Sequence, residues 1–447
     1  MREPFAVALS LVVVAMSHVG SPAAPARQLE RIRIDDNRRS AGTLRNGVLT
    51  LRLDARVGMW YPEGDDAPGA AMQAFAEVGR EAQIPGPMIR VPAGTEIVVT
   101  VTNSVREGAL AIHGLVSRPV PGDAAAESLL VAPGETRETR FRLDAPGTYY
   151  YWGTTTGRDF FNRTREDAQL SGAIVVDEPG AAPPRDRVLV IGMWADTAGT
   201  EDTRGRGEHG RLLFVVNGRS WPHTERLSYA VGDTVRWRVV NTSADVHPMH
   251  LHGFYYWIDA RGDALVDTVF AEDRRDLAVT DVLRPGRTMR LTWVPERPGN
   301  WLFHCHTTAH FSPRGPLGMP RAHRPASAAG ARAFHAGDHA LDGMSGLVVG
   351  IVVAPRDGAP VAAESAPDPG RRRLRLIARP SRGGTDERPL YSFALLEGGA
   401  EPPPDSGVRP GPPIVLVRGV PVGITVVNRT PEPTIVHWHG IELESYF

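Results

Sequence analysis

A ten-residue pattern recurs three times along this 447-residue chain and limits its fold more than any other feature. Gly94-Thr-Glu-Ile-Val-Val-Thr-Val-Thr-Asn103 leads to His113-Gly114, Gly232-Asp-Thr-Val-Arg-Trp-Arg-Val-Val-Asn241 to His252-Gly253, and Gly419-Val-Pro-Val-Gly-Ile-Thr-Val-Val-Asn428 to His439-Gly440. Each copy opens on a turn glycine, alternates with period two and stops at an asparagine, which predicts a strand followed by a histidine-bearing strand. A second block also repeats. Pro133-Gly134 to Phe141 and Pro146-Gly147 to Trp152 match Pro285-Gly286 to Trp293 and Pro298-Gly299 to His304. Trp152-Gly153-Thr154 then falls where His304-Cys305-His306 stands in the second copy. Short strands at regular spacing with turn signals between them predict an all-β chain of tandem antiparallel sandwiches.

Composition agrees. Glycine (47) and proline (39) are abundant, as turn-rich β proteins require. The formal net charge of −1 speaks against nucleic acid or an anionic membrane as the main partner. Residues 1–26 read as a secretory signal: Arg2 is the positive end, Phe5 to Met16 the apolar stretch, and Ala24-Pro25-Ala26 a small-residue cleavage site. That apolar run is too short for a membrane anchor, so the expected address is periplasmic or extracellular. The first unit is expected over 29–178, the second over 185–355 and the third over 374–447, with proline- and alanine-rich linkers between them. The cluster Arg371 to Arg373 reads as a solvated strand entrance. The third unit is about half as long as its siblings, so the sequence is expected to be a piece of a longer protein.

The only cysteine, Cys305, lies between His304 and His306. A lone cysteine in an exported chain has no internal disulfide partner, and thiolate plus imidazoles and a weak axial methionine is the donor set of a blue-copper centre. In a strand the two flanking imidazoles face away from the thiol, so they can serve a second metal centre joined to the first through the backbone. His250 and His252 share one strand face, and His437 and His439 share another. Gathering so many imidazoles on short strands is unfavourable in a core that holds no metal.

His247-Pro-Met-His250-Leu-His252-Gly253, His304-Cys305-His306-Thr-Thr-Ala-His310 and His437-Trp-His439-Gly440 resemble the copper signatures of multicopper oxidases, the laccase-like family of Greek-key cupredoxin domains. Ile84 to Gly94 and Gly411 to Gly419 are similar to the opening of that family's first domain. The resemblance implies copper in type 1, type 2 and binuclear type 3 centres. It puts His247 and Cys305 on the type 1 copper, with His310 or His339 as the second histidine and Met344 as the axial candidate. The alternative for Met344 is an ordinary core methionine beside a strand. His250 and His437 would take the type 2 copper, and His252, His304, His306 and His439 the type 3 pair. The family's two further type 3 histidines, from an H-S-H segment, have no counterpart after His439. In the first unit Ala111-Ile-His113-Gly114 and Trp152-Gly-Thr154 stand where ligands would be, which implies a metal-free unit with His113 as a hydrogen-bonded sandwich residue.

The implied activity is oxidation of a phenolic-type or metal-ion donor, one electron at a time, coupled to four-electron reduction of dioxygen to water, with Cys305, His304 and His306 carrying the electrons. Glu442 and Glu444 are candidate proton donors. Two rivals stand beside this reading: a copper nitrite reductase, which needs no histidine on both sides of the cysteine, and a non-catalytic copper or electron carrier. The cluster between the second and third units lies either within one chain or between copies in a homo-oligomeric ring.

Overall fold

A computed structural model describes residues 29–121, 127–180, 185–196, 211–312, 317, 343–356, 370–385, 389–403, 407–431, 434 and 436–441. The signal segment, His339, Glu442 and Glu444 lie outside them. The described chain is nearly all strand, and no helix in it is long and apolar enough to cross a membrane.

The repeats fold alike. In the first unit Val48–Trp60 pairs in parallel with the patterned strand Thr95–Asn103, inside a seven-stranded sheet. In the second, Arg187–Asp196 pairs in parallel with Val235–Asn241, again in a seven-stranded sheet. In the third, Arg372–Pro380 pairs in parallel with Val422–Asn428. Each of the first two units closes with a five-stranded sheet, in which Ile89–Pro92 runs parallel to Ser171–Asp177 and Arg226–Ala230 to Val348–Ala354. Parallel neighbours far apart in sequence, framed by antiparallel hairpins, give a Greek-key crossing between two facing sheets.

The inward residues of those sheets make the cores: Leu51, Ile97, Val99, Tyr151 and Ile174 in the first unit, Trp237, Val239, Leu291, Phe303 and Ile351 in the second. In the third unit the described residues form one three-stranded sheet over a small cluster of Ile377, Ala394 and Leu396. Arg372 in that unit pairs with Glu397 at its exposed entrance.

The recurrent asparagine has a physical reason. Asn103, Asn241 and Asn428 each accept a backbone N–H from two residues on, which turns the chain out of the strand. Asn241 also donates to the carbonyls of Asp245 and Leu283 and so shapes the loop that delivers His247. The first two units meet through Asp186, which is buried and accepts from Arg90 at 2.6 Å and Arg238 at 2.6 Å.

Candidate metal centre

Two strands carry most of the site. His247–Leu251 pairs antiparallel with Gly299–Cys305, which sets Met249 opposite Cys305 and His250 opposite His304. Alternation then sends Cys305 into the core and the imidazoles of His250 and His304 to the other face. The strand ends at Cys305, so His306 projects from the chain just beyond it and is exposed.

On the core side, His247, Cys305 and His310 are all buried and their ligand atoms lie within 4.8 Å of one another. Cys305 Sγ is 3.6 Å from His247 Nδ1 and 3.4 Å from His310 Nδ1, and those two nitrogens are 3.1 Å apart. The outer nitrogens are held by one loop. Ser243 Oγ sits 2.7 Å from His247 Nε2, and the Asp245 carboxylate lies 3.2 Å from His310 Nε2. A carboxylate there keeps the proton on Nε2 and leaves the Nδ1 lone pair aimed at the thiol. Phe214 packs on His310 with ring centroids 4.1 Å apart. Met344 is buried with Trp221, Leu302 and Val348, and the N–H of the next residue, Ser345, donates to Phe311.

On the far side six imidazoles converge. His252 Nε2 is 2.9 Å from His304 Nε2, and His250 Nε2 is 3.1 Å from His437 Nε2. His250 Nδ1 donates to the Val279 carbonyl at 2.8 Å, and His304 Nδ1 to the Cys305 carbonyl at 2.8 Å. Both rings therefore present a bare Nε2 to the cluster. His439 stacks on His250 at 4.2 Å and reaches Thr280 Oγ1 at 3.0 Å, while His306 lies 4.6 Å from His439. His250, His252 and His304 are buried; His306, His437 and His439 are exposed, so the cluster has one closed side and one open side.

Burial pushes His247 and His250 down to about 3 and His304 to about 4, and lowers His252 further still. His437 and His439 are lowered too, by burial and then by neighbouring imidazoles. Six of the candidate ligand rings are thus neutral lone-pair donors at neutral pH. The Cys305 thiol is pushed up to about 11 by burial, so a metal bound there displaces its proton. Facing lone pairs this close repel one another without a cation between them, and sulfur with nitrogen on one side and nitrogen alone on the other suits copper.

Several sequence expectations need correction or extension. His437 and His439 do not lie on a strand; they sit on an irregular segment that ends in a turn, because Gly440 takes a left-handed φ of 72°. His113 stacks on Trp152, with centroids 4.1 Å apart, and among the described residues its side chain makes no hydrogen bond to the sandwich. Arg163, buried over the Trp152 ring, puts a positive charge beside that ring pair. Ser243, Asp245 and Thr280 were not among the candidates. The one sequence signal for Ser243 and Asp245 is their place in the short loop between Asn241 and His247, and nothing in the sequence ties Thr280 to His439.

Two family models, both described as multicopper oxidase, match the chain: one over residues 190–314, the other over 71–181 and again over 406–446. Together they span more than half of it, and the second model recognises both the first and the third unit. A probable nitrite reductase-hydroxylamine oxidoreductase fusion protein of Kuenenia stuttgartiensis is 27% identical over 286 residues, 60% of this chain and 31% of its own length. L-ascorbate oxidase of Cucurbita pepo var. melopepo is 35% identical over 107 residues, 23% of this chain and 18% of its own. The chain thus spans less than a third of the length of these curated relatives. A crystal structure of a blue copper oxidase from Nitrosomonas europaea aligns at 20% identity and a TM-score of 0.49, covering 68% of this chain and 85% of that one.

Proposed function

The chain belongs to the multicopper oxidase family, and from that premise we propose that it draws single electrons from a phenolic-type or metal-ion donor and passes them to dioxygen, which is reduced to water. The observation that carries the reading is Cys305 flanked by His304 and His306, with the thiol in a buried two-histidine site and both neighbours in a six-imidazole cluster. His247, Cys305 and His310, together with Met344, would hold the type 1 copper. His250 and His437 would hold the type 2 copper, and His252, His304, His306 and His439 the type 3 pair. Bound copper supplies one-electron acceptance at the thiolate and dioxygen reduction at the cluster.

The chain's own residues do the rest. Ser243 and Asp245 fix the rings of His247 and His310, and the carbonyls of Val279 and Cys305 fix those of His250 and His304. Phe214 excludes water from the thiol site. The peptide bond between His304 and Cys305 makes the two sites covalent neighbours. Within this one chain the third unit's His437 and His439 reach the second unit's cluster, which favours assembly inside a chain over a ring of copies.

The test is to load the chain with copper and record copper content, visible absorption and oxygen uptake with a phenolic donor, beside Cys305→Ser. The native protein is expected to be blue and to consume oxygen; the variant loses both. A variant as blue and active as its parent would refute the assignment. Nitrite consumption without oxygen uptake would support the nitrite reductase instead, and about one bound copper per chain an electron carrier.

A further inference from the structure

The end of the second sandwich that holds the thiol site has a counterpart in the first, and the ladder registers locate it. In both units the residue after the recurrent asparagine donates to the neighbouring strand, Ser104 N–H to the Ala55 carbonyl and Thr242 N–H to the Ile191 carbonyl. Ala55 then faces Phe75 and Val57 faces Gln73, as Ile191 faces Val216 and Met193 faces Phe214. Gln73 therefore stands in the place of Phe214, the ring that packs on His247 and His310. The adjoining ladders put Gly153 in the place of Cys305 and Leu110 in that of His247. Thiol and imidazole are gone from this end, and an amide has replaced the phenyl ring.

A cleft of about 1140 Å³ opens there, large enough for an organic ligand. Gln73 lines it although it is only 6% exposed. Its Oε1 accepts from Thr155 Oγ1 at 2.8 Å, and its Nε2 has no hydrogen-bond partner among the described residues. An amide so deeply buried calls for an acceptor. Thr156 Oγ1 donates inward to the buried Asp167 carboxylate at 2.7 Å, so both threonine hydroxyls turn lone pairs towards the cleft. Gly108, with a φ of 86°, brings the opposite loop against them; a Cβ there would lie 2.2 Å from the Thr155 carbonyl oxygen. Ser104, Glu107 and Glu166 add acceptors at the exposed rim. Four carboxylates line the cleft against two guanidiniums, and one of these, Arg56, is paired with Glu30 at 3.3 Å. The apolar part of the wall is aliphatic, Val57 and Val105 among it, and no described aromatic ring lines it.

We propose that this cleft is a binding site for a cationic polyol of the amino-sugar class, which makes the first unit a carbohydrate-holding module of the protein. A wall rich in acceptors calls for a ligand rich in donors, and the surplus of carboxylates selects a cation. The ammonium and hydroxyl groups of an amino sugar donate to the oxygens of Ser104, Thr155 and Thr156 and to Glu107 and Glu166. A hydroxyl or ring oxygen accepts from Gln73 Nε2. Val57 and Val105 suit the C–H face of a sugar, whereas an aromatic ligand would find no ring to stack on. The site goes beyond the oxidase reading and does not depend on it, since no proposed copper ligand takes part.

The experiment is isothermal titration calorimetry on the full chain with three disaccharides of one skeleton: the glucosamine dimer, its N-acetylated form and the glucose dimer cellobiose. The native chain is expected to bind the glucosamine dimer at a single site, about tenfold more tightly than either uncharged sugar. Gln73→Phe, which installs the second unit's side chain, should weaken that binding about tenfold. The exposed pair Glu107→Gln with Glu166→Gln leaves the core untouched and should abolish the preference for the cation. Thermal midpoints show that each variant is folded, and copper content, set in the other units, stays native. If Gln73→Phe fails to fold, the rim variant still decides. No binding of the glucosamine dimer, equal affinity for all three sugars, or an unchanged preference in the rim variant overturns the site. Binding as expected in a chain that takes up no oxygen overturns the oxidase reading and leaves the site standing.

Discussion

Replacing Gly253 by alanine should destabilise the second unit by about 2–5 kcal/mol, and the structure separates two causes. Gly253 has a φ of 75°, so any Cβ there carries the left-handed penalty of about 1–2 kcal/mol. The added carbon would also lie 2.1 Å from Trp301 Cζ3 and 2.5 Å from Cε3. Trp301 is 3% exposed and wedged against Phe254, so it cannot swing aside, and overpacking of this kind adds about 1–3 kcal/mol. Gly232, in the same unit, is the matched control: its φ is 83°, but no atom lies within 4 Å of its would-be Cβ. Gly232→Ala should therefore lose only the backbone part. Urea unfolding followed by tryptophan fluorescence on both variants gives the difference directly. His252 moves with its neighbour, so Gly253→Ala should also bind less copper, whereas Gly232→Ala should bind as much as native. Equal losses of stability in the two variants would refute the steric argument.

Three further outcomes are expected. Asp186→Ala leaves Arg238, 5% exposed, without its buried carboxylate and should cost about 3–5 kcal/mol by denaturant titration; a change under 1 kcal/mol would contradict the buried network. Burial raises the Asp267 carboxyl above its usual range although it accepts the Thr148 N–H. The folded chain therefore keeps that proton after the unfolded chain has released it. The resulting stability is fully present below about pH 4 and is lost as pH rises through the raised value. Asp267→Asn should flatten that decline in a series of thermal midpoints, and an unchanged slope would exclude Asp267 as its source. His437→Ala combined with His439→Ala should lower the copper content while leaving the blue band of the Cys305 site in place; loss of the band would mean the two sites do not load separately.

The fold, and the grouping of the histidines and Cys305 into two candidate sites, were legible because their determinants are local. The glycine-to-asparagine pattern encodes one strand and its exit turn, and three copies encode one topology, as the three parallel pairings bear out. Alternation along Phe303-His304-Cys305 was enough to split thiol from imidazole. His310 against His339 could not be decided from spacing, because a long insertion breaks the register; the structure places His310 Nδ1 at the sulfur, and His339 lies outside the described residues. The shape of the His437–Gly440 segment was misjudged, since a left-handed glycine, not strand alternation, sets it. Thr280 was invisible because its link to His439 spans 159 residues and depends on how two units meet.

The bonds described between the second and third units run through the site itself: His437 to His250, His439 to Thr280, and the Tyr255 hydroxyl to the Gly440 carbonyl. Metal there would be mortar as much as machinery. A chelator that strips it should loosen one sandwich from the other, so copper supply would govern the shape of this protein as well as its chemistry.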